Sequence, residues 1–185
     1  MGVASAVSTS DLQFVLRLLT PVNRLVMRLA AETGLRISDC LSLTVQQLRT
    51  ACNNGGYVSV FESKTGKRRR VHLSVGLRGD MVSYVSPRSP YVFPNRFDYM
   101  RPRTRQAVWK DVNRAAEALR FDLQVSPHSA RKYAAQEKLK AVGGNIKAVQ
   151  RWLCHSDGMV TAIYVLAEHA HMGTKYCGKI PSKRG

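Results

Sequence analysis

Between residues 52 and 74 the helical spacing of the apolar residues gives way to the one clear sheet signal of this chain, which limits the fold to helices around one small sheet. Val22, Leu25, Val26, Leu29 and Ala30 recur at i, i+3, i+4, i+7 and i+8, a buried stripe opened by Thr20 and Pro21 and stopped by Gly34. Before it, Ser10 with Gln13 reads as a capping box that opens a helix over 11–19. After it, a short helix over 37–43 sets Arg36 and Asp39 one turn apart. Thr104 caps a helix with Val108, Val112, Ala115, Ala116 and Leu119 on one side. Ser126 and Pro127 open another, which Gly143 and Gly144 break, and Ile146, Val149 and Leu153 mark the last.

In the exceptional stretch, NNGG (53–56) signals a turn. Tyr57, Val58, Val60 and Phe61 form one β-prone run and residues 70–73 another, joined through KTGK (64–67). The expected fold is therefore mainly α with a small antiparallel β-hairpin whose tip is strongly basic. Residues 1–9 read as a loose tail, 10–168 as one domain, and 169–185 as a tail that a partner could take up.

Charge narrows the partner. The 185 residues hold 29 Lys and Arg against 12 Asp and Glu, a net charge of +17, which favours an anionic polymer without separating DNA from RNA. No apolar run reaches the ~18–20 residues of a membrane span, and MGVASAVSTS lacks the pattern of a signal peptide, so a cytoplasmic protein with no membrane partner is expected. Cys40, Cys52, Cys154 and Cys177 show no paired short spacing, which argues for reduced thiols over a zinc site.

Six side chains carry a chemical pattern. His128 and Arg131 share a helix face, His155 follows in WLCHSD (152–157), and Tyr164 stands in TAIYV. Arg36 in TGLRISD (33–39) and Lys64 in the basic hairpin would complete a cationic pocket. Such a set, without an acidic metal cluster, suits metal-free attack on a phosphodiester. Each residue alone has an ordinary explanation: a surface arginine, a first-turn histidine, a half-buried core tyrosine, a solvated hairpin tip.

The ordered set resembles the tyrosine recombinase (phage integrase) family across most of the chain. TGLRISDCLSL (33–43) is similar to that family's first arginine box, ESKTGKRRRVHL (62–73) to its lysine hairpin, and HSAR (128–131) to its H-x-x-R motif. GNIKAVQRWLCH (144–155) resembles the helix leading to the second histidine, and Tyr164 stands where the nucleophile belongs. The resemblance implies an integrase-like catalytic domain in which Tyr164 attacks a DNA phosphate. It gives His128 the proton, Arg36 and Arg131 the phosphate oxygens, Lys64 the leaving 5′-oxygen and His155 a hydrogen bond to the phosphate. Asp39 would orient Arg36 or its helix. It also implies no cofactor or metal, double-stranded DNA as partner, a homotetramer on paired sites formed from monomers, accessory DNA-bending proteins, and association with a nucleoid, virus or mobile element.

The sequence departs from the family pattern in three places. Cys154 stands where glycine usually precedes the second histidine, and Lys132 follows Arg131 where histidine is common. About ten residues precede the first helix, so the clamping domain of most members was either removed or is absent, as in the fimbrial-switch recombinases. Lys67, Arg68, Arg69, Arg70, Arg101, Arg103, Arg105 and Lys110 are candidate DNA contacts, with solvated charge as the alternative. A type IB topoisomerase, a non-catalytic DNA-binding regulator and a basic RNA-binding protein remain open at this point.

Overall fold

The computed structural model describes residues 9–119 and 126–154. Among the described residues, eight helices and one hairpin follow in chain order: α1 (Thr9–Leu18), α2 (Pro21–Thr33), α3 (Ile37–Leu41), α4 (Val45–Asn53), β1 (Tyr57–Glu62), β2 (Lys67–His72), α5 (Val75–Val82), α6 (Arg105–Ala118), α7 (Pro127–Ala141) and α8 (Ile146–Leu153). The mainly helical fold with one antiparallel two-stranded sheet is the expected one.

The predicted stripe of α2 is buried at Leu25, Val26, Leu29 and Ala30, and it packs most extensively on α7. α6 buries Val108, Val112, Ala115 and Ala116 as its spacing demands, and Thr104 caps it by accepting from the Ala107 N–H at 3.2 Å. A smaller apolar cluster of Ala135, Val149 and Leu153 joins α7 to α8.

Several boundaries differ from the sequence reading. α1 begins at Thr9, so Ser10 lies inside the helix rather than capping it. α3 ends at Leu41. β2 begins at Lys67, which moves the basic run from the turn into the strand, and the turn is Ser63 to Gly66. α4 and α5 were not foreseen. Thr44 and Gln47 open α4 with a full capping box, and Ser74 caps α5, so short polar caps rather than apolar periods mark both.

The hairpin alternates along β1 and along β2 from Arg68 onward. Val58, Val60 and Glu62 face inward from β1, and Arg69 and Val71 from β2. Because a strand has period two, the residues that bury Val71 also carry Arg69 inside. Glu62 on the same face supplies its counter-charge.

Thr20, between α1 and α2, donates its N–H and hydroxyl to Asp111 of α6 at 2.9 and 2.6 Å. Asn23 and Arg114 bond the same carboxylate at 2.8 and 2.7 Å. This knot fixes the first two helices on α6, the helix that forms one wall of the site.

Candidate active site

The chain turns sharply after α2 because Gly34 adopts φ 64°, the left-handed conformation open to glycine. A Cβ there would stand 2.8 Å from the Trp152 ring and 2.9 Å from Leu153, so α8 approaches this turn as closely as a hydrogen atom allows. The turn delivers Arg36 as the residue before α3, in extended conformation.

Arg36 donates to Glu62 at 2.7 Å, and Asp39 lies 3.9 Å from the same nitrogen. Glu62 is 0% exposed and also accepts from Arg69 at 3.3 Å and Thr65 at 3.1 Å. Burial raises the Glu62 carboxyl, but the Arg36 hydrogen bond and the charges of Arg36, Arg131 and Arg69 outweigh it, so the acid stays below its ordinary range and ionised. The sequence reading has Asp39 orient Arg36 or its helix. Besides its place near Arg36, Asp39 accepts from the Ser63 N–H and hydroxyl at 3.1 and 2.8 Å, which anchors the hairpin turn next to Lys64. Glu62 was missed, although an acid at a β1 position alternating with Val58 and Val60 was a readable signal.

Arg131 is 5% exposed and lies behind this cluster. It donates to the Gly34 carbonyl at 2.6 Å and the Leu153 carbonyl at 2.9 Å, joining the α2–α3 turn to the end of α8. Cys154, the next residue, caps α8 at φ 53°, a left-handed conformation that costs a side-chain-bearing residue about 1 kcal/mol. Its position accounts for the glycine usual in the family pattern. His155 and Tyr164 lie outside the described residues.

Arg36 and His128 line one cleft of about 270 Å³, together with Ile37, Ser38, Arg105, Gln106, Trp109 and Pro127. His128 is held below its ordinary pKa, first by partial burial and then by the charges of Arg105, Arg131, Lys132 and Arg36. It is therefore uncharged at neutral pH and free to accept a proton. The structure thus brings Arg36, His128 and Arg105 onto one cleft, with the charge of buried Arg131 acting on His128. Lys64 is exposed on the hairpin turn.

One candidate DNA contact, Arg69, is corrected, and a second, Arg103, is half-buried. Arg69 is 5% exposed, donates to the carbonyls of Thr33 and Gly34, and stacks over Trp152 at 4.8 Å. Arg103 donates to the Asn23 carbonyl oxygen at 2.7 Å and joins the Asp111 knot. Strand alternation turns the Arg69 guanidinium inside the fold, while half-buried Arg103 is tied to Asn23 through its Nε. Lys67, Arg68, Arg70, Arg101, Arg105 and Lys110 are exposed. Arg70 stacks over Tyr57 at 4.4 Å.

The chain is 28% identical to the tyrosine recombinase XerD of Shewanella oneidensis over 161 residues, covering 81% of this chain and 51% of that protein. It is 26% identical to XerD of Lacticaseibacillus casei, covering 83% of this chain and 53% of that protein. The chain thus spans about half the length of these relatives. In fold it is similar to the XerA recombinase (TM-score 0.70, 17% identity, 95% of this chain and 65% of that one). It is similar also to a lambda integrase dimer bound to a COC′ core site (TM-score 0.71, 18% identity, 99% of this chain and 53% of that one). The model of the phage integrase family matches residues 12–171, and the chain belongs to that family.

Proposed function

We propose that this chain is the catalytic part of a site-specific DNA recombinase that cuts and rejoins DNA through a 3′-phosphotyrosine intermediate. The observation that carries the reading is the convergence of Arg36 and His128, far apart in sequence, on one cleft, with the charge of buried Arg131 acting on His128. The Tyr164 oxygen attacks phosphorus, its proton passes to neutral His128, and the bond from phosphorus to the 5′-oxygen breaks. The departing alcohol takes a proton from Lys64. Arg36 binds the non-bridging oxygens, where a planar guanidinium suits phosphate. Arg131 adds its charge, and His155 donates to the phosphate. Charge on those oxygens grows in the transition state, so the fixed cations act most strongly there. The covalent link conserves the phosphodiester, and a 5′-hydroxyl from another strand reverses the attack. Duplex DNA is the partner, with a homotetramer on paired sites.

The test is a covalent adduct on a nicked suicide duplex, read on a denaturing gel. The adduct is expected from the unaltered chain, abolished in Tyr164→Phe, and formed about 10²–10³-fold more slowly in Arg36→Ala. Folded protein that binds duplex without ever forming the adduct would make it a non-catalytic regulator.

A further inference from the structure

Between α5 and α6, residues 94–102 form a knob on a firm stem. Pro94 and Pro102 pair across its base, and the Arg103 N–H donates to the carbonyl of fully buried Phe93 at 2.8 Å. The loop also bonds to itself: Asn95 N–H to the Arg101 carbonyl at 2.9 Å, Phe97 N–H to the Asn95 side chain at 2.9 Å, Met100 N–H to Asp98 at 3.0 Å. A loop with its backbone so satisfied holds its side chains in place. Those it shows to solvent are Phe97 at 84% exposure, Met100 at 67% and Tyr99 at 44%. Exposing a group of large apolar side chains from an ordered loop marks an interaction surface.

Charge identifies the partner. Arg96 stacks over Phe97 at 4.8 Å, Arg101 is well exposed, and the one acid of the knob, Asp98, is paired with Arg101 at 3.3 Å. The knob runs directly into α6, whose Arg105 lines the cleft with Arg36 and His128. Arg101 and Arg105 are four residues apart, so their Cα atoms are within about 14 Å, the length of about four base pairs. We propose that this knob is a second DNA contact. Phe97 and Met100 press on sugar and base edges of the duplex beside the cleaved phosphate, and Arg96 and Arg101 hold phosphates on either side. Apolar wedges flanked by arginines are a known means of gripping and bending a duplex. The inference rests on the reading of the cleft as a DNA-cutting site.

Binding of the full chain to a labelled mixed-sequence duplex, measured across a salt series, tests it. Phe97→Ser with Met100→Ser is expected to bind about 10-fold more weakly at unchanged salt slope, because apolar contacts release no counterions. Arg96→Ala with Arg101→Ala is expected to lower the slope by about 1–2. Both variants alter exposed side chains, and matching thermal unfolding confirms the fold. Unchanged affinity in the Phe97 and Met100 variant overturns the proposal. So does a loss of protomers per duplex, by sedimentation, with single-protomer affinity intact, which would make the knob a protein contact. Adduct formation on the suicide duplex is followed in parallel. If the unaltered chain forms none while the knob variants still lose affinity, the cutting reading fails and the knob stands.

Discussion

Arg36 is held with a carboxylate on either side, Glu62 at 2.7 Å and Asp39 at 3.9 Å. One guanidinium nitrogen is thereby fixed, and the planar group is oriented before any phosphate arrives. His128 is prepared differently, by losing water and facing four cations, which keeps its ring uncharged. Titration of its ring protons by NMR should give a pKa below the usual 6.5, and adduct formation should fall only below that value, as the proton acceptor is lost. A pKa above 6.5 in the free protein would remove His128 from the base role. Cys154 offers a second residue-scale test. Replacing it by glycine removes the left-handed strain at φ 53° and should stabilise the fold by about 1 kcal/mol, a rise of about 2–4 °C in Tm by calorimetry. The departure at this position was readable in the sequence, but the conformation that explains it was not, since φ follows from how α8 ends against Arg131.

Among the elements, the hairpin does more than present Lys64. Its inward face carries Glu62 and Arg69 to the α2–α3 turn, so the strand pair and the Arg36 segment share one buried charge cluster. Removing one partner of a buried pair leaves the others uncompensated. Glu62→Ala should therefore cost about 3–5 kcal/mol in urea unfolding, and a loss below about 1 kcal/mol would mean the cluster is not coupled. The hairpin itself was legible from its two β-prone runs and its KTGK turn. Counting the basic run as a DNA surface missed that the same alternation turns Arg69 away from solvent while leaving Arg68 and Arg70 outside. α4 and α5 escaped notice because their starts are marked by polar caps, the Thr44–Gln47 box and Ser74, and their apolar stripes are short.

For the whole molecule, the knot at Asp111 decides how α1 and α2 sit on α6. Burial pushes the Asp111 carboxyl up, but hydrogen bonds from Thr20, Arg114 and Asn23 hold its pKa at about 2, against 3.8 ordinarily. The folded state keeps this group ionised where the unfolded chain would protonate it. Its contribution, about 2 kcal/mol, is present above pH 3.8 and lost as pH falls toward about 2. Acid titration of stability should show that loss in the unaltered chain and not in Asp111→Asn. The sequence by itself determined the helical class, the lone hairpin and the order of the arginine, lysine and histidine motifs, because periods and turn residues are local properties. Only the tertiary structure decided which cations face the cleft and which are spent inside. Burial and pairing depend on neighbours distant in the chain: Glu62 against Arg36, Asn23 against Arg103, and the Gly34 carbonyl against Arg131.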